Sequence, residues 1–267
     1  MRQYLPLIPL LLLAALPRAF AGVSVVGDLT QERTSARGQS YTGVIVLQNS
    51  GDEDLEVDMY QTDYLFYADG RNEYGEPGGT PRSNASWISF SPRHLSMPAR
   101  QKAEVSYTVQ VPDDASLTGS YWSLLMVEGL PKPAPEALKS GEPTFTLKTV
   151  IRYAIQLITN VGETGTRLLK FSATRLLRDG GNRSLQIDVE NAGERWLHPV
   201  FWVELYDAKG AMAGRIEADG QRVFPGTSVR FRFDLSALGA GSYKCLAVAD
   251  CGGDDLFGAS YTLQLER

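Results

Sequence analysis

Gly119-Ser120-Tyr121-Trp122-Ser123-Leu124-Leu125-Met126-Val127 and Gly241-Ser242-Tyr243-Lys244-Cys245-Leu246-Ala247-Val248 open alike: a glycine, a serine and a tyrosine, then a run of strand length. Working outward from each, two further landmarks recur. Asn49-Ser50-Gly51 matches Asn191-Ala192-Gly193, each closing one strand and preceding another, and Pro98 and Pro225 each precede an alternating strand. Between them, short runs rich in Val, Ile, Thr, Tyr and Phe are separated by Gly, Pro, Asn and Asp clusters, and capped helix-period patterns are almost absent. The class is therefore all-β. The first set of runs is Tyr41 to Leu47, Leu55 to Tyr67, Trp87 to Phe90, Glu104 to Val111, Tyr121 to Val127 and Thr144 to Ile158. The second is Leu168 to Thr174, Ser184 to Val189, Val200 to Tyr206, Val229 to Leu235, Tyr243 to Val248 and Ala259 to Leu265. About seven strands per copy, with turns every 8–12 residues or so, predicts two immunoglobulin-like β-sandwiches in tandem. Tyr121 and Tyr243 fall where such sandwiches place a tyrosine whose hydroxyl ties back to the chain. The offset between matching landmarks shrinks along the sequence, so the first copy carries extra residues. Most of them fall in Gly70 to Asn84, a Gly- and Pro-rich stretch read as a long loop, either functional or a surface insertion.

The chain begins with Arg2, an apolar stretch from Leu5 to Leu16, and Ala19-Phe20-Ala21, the small-x-small pattern after which signal peptidase cleaves. Residues 1–21 are read as a cleavable secretory signal and Gly22 as the first mature residue. Pro6 and Pro9 interrupt the apolar stretch, which is well short of the roughly 20 residues of a membrane span. No Cys near Ala21 invites a lipid, and no later segment has the length and apolarity of a span. The expectation is a soluble protein sent through the general export pathway, with domains at 22–160 and 161–267. The whole chain carries a formal charge of −5, and loss of Arg2 and Arg18 makes the mature protein more acidic, against a nucleic-acid partner. Cys245 and Cys251, an even and closely spaced pair in an exported chain, are read as a disulfide pinning the last hairpin rather than as a metal site. The sequons at Asn84 and Asn182 matter only in a eukaryotic secretory pathway.

Sites for chemistry are scarce. His94 stands two residues after Pro92 and His198 directly before Pro199, both outside any metal-ligand spacing, and they read as surface residues. The chain has no G-x-S-x-G, phosphate loop or G-x-G-x-x-G. Asp52-Glu53-Asp54 and Asp254-Asp255 are read as solvated turn residues in preference to parts of a calcium site. Neither an enzyme, a cofactor nor a metal is expected, and a hydrolase with an unrecognised site is the weakest reading.

Thr144 to Ile158 is the most informative segment. In an extended strand Phe145, Leu147, Ile151, Tyr153, Ile155 and Leu157 share one face, and Lys148, Arg152 and Gln156 the other. Fifteen residues at ~3.3 Å each span some 50 Å, longer than one sandwich layer needs. Two readings stay open: part of the strand overhangs as an apolar edge that a partner strand covers, or it is simply the last strand of the first domain.

The first copy resembles the N-terminal domain of PapD-like periplasmic pilus and fimbrial assembly chaperones. The resemblance runs through Trp87-Ile88-Ser89-Phe90-Ser91-Pro92, Leu95-Ser96-Met97-Pro98, the alternating strand ending Val111-Pro112-Asp113-Asp114, Tyr121-Trp122-Ser123-Leu124 and Leu130-Pro131. It implies two immunoglobulin-like domains at an angle, a final first-domain strand that lends apolar residues to an incomplete fibre subunit, and two basic residues in the interdomain cleft that hold that subunit's terminal carboxylate. Arg152, within Thr149-Val150-Ile151-Arg152, is similar to the family's final-strand lysine, and Arg33 falls where its first-strand arginine would be. The exchange of Lys for Arg keeps the chemistry, since a guanidinium grips a carboxylate with two parallel bonds. The second copy keeps only the general sandwich pattern and resembles generic bacterial surface modules as much. The function this implies is a non-enzymatic accessory protein binding exported subunits of a surface fibre by strand complementation, with an outer-membrane usher as a further partner. The alternative is a structural or adhesive surface module that binds an envelope component through loops such as Gly70 to Asn84.

Overall fold

The computed structural model describes residues 22–130 and 150–266; the signal assignment at 1–21 and the face residues Phe145 and Leu147 lie outside them. The chain folds as two all-β sandwiches. In the first, a sheet of β1 (Val23–Val26), β3 (Ser40–Asn49), β8 (Lys102–Gln110) and β6 (Ile88–Ser91), in that order, faces a second sheet. That sheet runs β2 (Thr30–Ser35), β10 (Arg152–Val161), β9 (Gly119–Leu130), β4 (Leu55–Phe66) and β5 (Asn72–Gly75), with β7 (His94–Met97) also on β4. In the second sandwich β11 (Leu169–Asp179), β12 (Asn182–Asn191) and β15 (Ser228–Asp234) face β14 (Met212–Ala218), β13 (Val200–Tyr206), β16 (Gly241–Asp250) and β17 (Leu256–Leu265).

Two-residue periodicity decides these strands. In β8, Val105, Tyr107 and Val109 are buried and Glu104, Ser106 and Gln110 exposed; in β15, Val229, Phe231 and Phe233 turn inward. Such alternation buries one face and solvates the other. Strand β9 breaks the pattern, being buried from Gly119 to Val127. Its inner face, with Tyr121, Leu125 and Val127, fills the first core, while Trp122 on the other face joins Ile158 and Phe224 in a small cluster between the sandwiches. Phe224 packs against Trp122 at 4.7 Å between ring centroids, against Phe66 edge-on at 6.1 Å and against Trp196 at 6.2 Å.

Polar contacts reinforce this apolar joint. Glu194 accepts from Thr118 Oγ1 at 2.9 Å and from Thr166 N at 3.0 Å, and the Arg195 guanidinium donates to the carbonyl of Gly162 at 2.9 Å. The chain passes so close here that a Cβ on Gly119, whose φ is +74°, would stand 2.0 Å from the Glu194 carbonyl oxygen.

Several expectations need correction. The stretch Gly70 to Asn84 is not an open loop: β5 pairs with β4, and the turn after it closes on Asp63, a buried carboxylate accepting from Thr80 N at 2.8 Å, Gly78 N at 3.2 Å and Ser83 Oγ at 2.5 Å. A buried charge needs such a full set of donors, and this requirement folds the stretch back. The preceding turn reaches the other sandwich, where Ala68 N donates to Ser228 Oγ at 3.0 Å. Tyr243 ties back as expected, its hydroxyl donating to the Gly239 carbonyl at 3.2 Å. Tyr121 instead lays its ring against Trp87 at 4.6 Å under the Arg82 guanidinium.

Candidate functional site

The site is built on β10. This strand starts at Arg152 and runs on to Val161, three residues past the expected Ile158, because Thr159, Asn160 and Val161 pair with both β9 and β2. Strand β9 covers one edge along the full length, Arg152 to Val161. On the other edge β2 pairs only from Gln156 to Val161. The first pairing bond there is Gln156 N to the Leu29 carbonyl, 2.7 Å. Residues two apart point their backbone groups the same way, so the N–H and C=O of Ala154 and Arg152 face the uncovered side. Among the described residues nothing pairs with them. Exposed Leu29, Val150 and Ile151 lie along this opening.

Only part of the expected apolar face borders the opening. Tyr153, Ile155 and Leu157 turn into the first sandwich, with Ile155 and Leu157 buried in its core. That corrects the reading of Ile155 and Leu157 as subunit contacts: side chains filling their own core are not available to a partner. Ile151 is exposed and Tyr153 half-buried.

Arg152 lies across from Glu128 of β9, and the two form a bidentate pair, Nε to Oε2 at 2.8 Å and Nη2 to Oε1 at 3.1 Å. The bonds to Glu128 hold the guanidinium pKa above its ordinary value. Glu128 lies across from Asp58 of β4, and Asp58 across from His94 of β7, so the four side chains make a row over four strands. His94 is exposed, with Nδ1 2.6 Å from Asp58 Oδ1 and Nε2 3.0 Å from Glu56 Oε2. The hydrogen bond to Asp58, followed by the charges of Asp58 and Glu56, raises its pKa. His198 is exposed, as the sequence suggested.

Arg33 and Arg152 do not converge. In the β2–β10 register Arg33 stands opposite Thr159, seven residues from Arg152, about 23 Å along the strand. Arg33 therefore lies toward the interdomain end of β10 and Arg152 at the opposite end. Arg33 is exposed and makes no ion pair among the described residues. Near it, Tyr41 shares a 2.7 Å hydrogen bond with Thr159, and burial pushes its phenol up to about 12.

The Cys245–Cys251 disulfide is also corrected. Both thiols are free, and six residues of extended chain along and just beyond β16 hold them about 20 Å apart, whereas a disulfide needs Cα atoms within about 7 Å. Burial raises both thiol pKa values to about 11, which keeps them poorly nucleophilic. The acidic turn is engaged locally, Asp52 with Arg100 at 2.6 Å and Asp54 with the Ala99 N–H at 2.9 Å. Among the described residues no group of three or more His, Cys, Asp or Glu is placed to hold a metal ion, and no helix is long and apolar enough to cross a membrane.

Sequence reasoning passed over two residues that shape the site. Glu128 holds Arg152, and Asn84 holds β10 from beneath, donating to the Leu157 carbonyl at 3.1 Å and Thr159 Oγ1 at 3.0 Å while accepting from Ser123 Oγ at 2.7 Å. Asn84 is wholly buried, so its sequon is inaccessible in the folded chain.

No protein-family model matches the chain, and neither does any curated protein. Among solved structures it is similar to a chain of a chaperone–tip adhesin complex of CFA/I fimbriae biogenesis, at 12% identity and a TM-score of 0.49 over 91% of this chain and 98% of that one. It is similar to a chain of the CsuC–CsuE chaperone–tip adhesion subunit pre-assembly complex from Acinetobacter baumannii, at 17% identity and a TM-score of 0.44 over 88% and 97%. It is also similar to a chain of the Salmonella enterica SafA pilin–SafB chaperone complex, at 14% identity and a TM-score of 0.43 over 92% and 98%.

Proposed function

We propose that this chain is a periplasmic, non-enzymatic chaperone-like accessory protein of a surface-fibre assembly system. It binds exported fibre subunits by pairing a strand of the subunit with the uncovered edge of β10. One observation carries the reading: among the described residues β10 has neighbours on both edges from Gln156 to Val161 but on one edge only from Arg152 to Ile155. An edge whose N–H and C=O groups lack partners is a template for another strand, and backbone bonds there give affinity whatever the partner's sequence. Exposed Ile151, with Phe145 and Leu147 upstream, supplies the apolar contacts that select among partners. Arg152 offers the guanidinium that meets a partner's carboxylate, in competition with Glu128. Arg33, distant from Arg152, takes no part in the same grip and has Thr159 as its strand neighbour.

A proline at position 154 tests this directly. It removes an N–H that points to the open side and leaves the bonds to β9 in place, as edge positions tolerate. Ala154→Pro should keep the thermal midpoint close to that of the parent and lose co-purification with co-expressed exported subunits, as should Ile151→Asp. Undiminished co-purification with a folded Ala154→Pro chain would rule the edge out.

A further inference from the structure

The outer face of the β11–β12–β15 sheet, remote from the β10 edge, has an unusual row. Register places Arg175 of β11 directly beside Gln186 of β12, and Gln186 directly beside Arg232 of β15. With strands about 4.8 Å apart, the two arginines flank the amide at about 10 Å from each other. The neighbouring row is arranged in the ordinary way: Asp188 of β12 holds Arg230 bidentately at 2.6 and 2.8 Å. In the Gln186 row the middle strand supplies no carboxylate. Among the described residues neither Arg175 nor Arg232 makes an ion pair or side-chain hydrogen bond.

Gln186 sharpens the contrast. It faces away from the core, yet its exposure is only 7%, and no hydrogen bond satisfies its side chain among the described residues. No side-chain nitrogen or oxygen shut off from solvent lacks a partner among the described residues, so the unpartnered Gln186 amide still reaches water and can turn to a ligand. Two like charges left uncompensated on either side of it add cross-strand repulsion. A glutamate at this position would offset that repulsion. The chain carries a neutral donor instead, on a protein whose net charge is negative.

We propose that Arg175, Gln186 and Arg232 form a binding site for a phosphoryl group. A carboxylate is planar and is satisfied by one guanidinium, whereas a phosphoryl group presents oxygens in several directions and takes two guanidinium forks together with an amide N–H. Free phosphate, a soluble phosphate ester and the headgroup of an anionic phospholipid share this chemistry.

The test uses the mature chain and inorganic phosphate, titrated at constant ionic strength. Resonances of the Gln186 side-chain amide and of the Arg175 and Arg232 Nε–H groups should shift saturably. The shifts should vanish in Gln186→Glu, whose own carboxylate fills the site, and in the Arg175→Gln/Arg232→Gln pair. Gln186→Glu should melt no lower than the parent, which separates loss of the site from loss of the fold. A linear, unsaturable drift, or equal shifts in parent and variants, would overturn the proposal. In a second arm the chain is sedimented with phosphatidylglycerol or phosphatidylcholine vesicles. Pelleting with the anionic vesicles alone, lost in Gln186→Glu, identifies the lipid headgroup as the source. Saturable phosphate binding without pelleting identifies a soluble phosphoryl group.

Discussion

At the scale of single residues, His94 makes the most legible electrostatic statement. Its pKa stands above the ordinary value near 6.5 because Asp58 and Glu56 stabilise the imidazolium. A raised folded pKa contributes stability that is fully present below the unfolded pKa and is lost as pH rises through the folded one. An NMR titration should therefore place the His94 midpoint above 6.5, and Asp58→Asn should bring it down. The side chain is exposed and screened, so the accompanying change in global stability is small. The cysteines give a second test at this scale. The purified mature protein should have the intact mass of the dithiol and release two titratable thiols on denaturation; a Cys245–Cys251 cross-linked peptide would contradict the extended course of β16. Sequence proximity misleads here because a strand separates residues that a turn would bring together. Asn84 and Glu128 were hidden for a related reason: each acts on a residue tens of positions away, through a register that local pattern does not encode.

At the scale of elements, alternation made the core strands readable, since half their side chains enter an apolar interior. Three of the strands that escaped notice lack that signature. β2 reads Thr-Gln-Glu-Arg-Thr-Ser and lies at a sheet edge with no fully buried side chain, β5 is exposed throughout, and β14 is interrupted by a glycine. The amphipathic segment leading to Ile158 was recognised as special, but its reach was misjudged. Its second half is ordinary core strand, and among the described residues only Arg152 to Ile155 keeps an open edge. Asn84→Ala should destabilise the first sandwich by about 2–4 kcal/mol, because it leaves the Leu157 carbonyl and the hydroxyls of Ser123 and Thr159 without their common partner. Denaturant unfolding reads this directly. Glu128→Gln should instead leave stability nearly unchanged, since it loosens a pair with a largely exposed guanidinium.

At the scale of the molecule, the sandwiches are joined by the Trp122–Phe224–Ile158 cluster, and no sequence feature announced it. Trp122 and Phe224 read as ordinary strand and turn residues until the second sandwich is folded against the first. Phe224→Ala should cost about 3–5 kcal/mol and separate one cooperative unfolding transition into two, as calorimetry would register. Gly119→Ala should do the same by forcing the chain away from Glu194. The packed joint matters to the proposed function because β10 runs directly into it, so the strand with the open edge is anchored at its other end. Backbone hydrogen exchange at Arg152 and Ala154, measured with and without a bound fibre subunit, tests the central claim most directly. Both amides should exchange rapidly in the free chain and become protected in the complex, while a stable complex in which they exchange as before would contradict strand addition at β10.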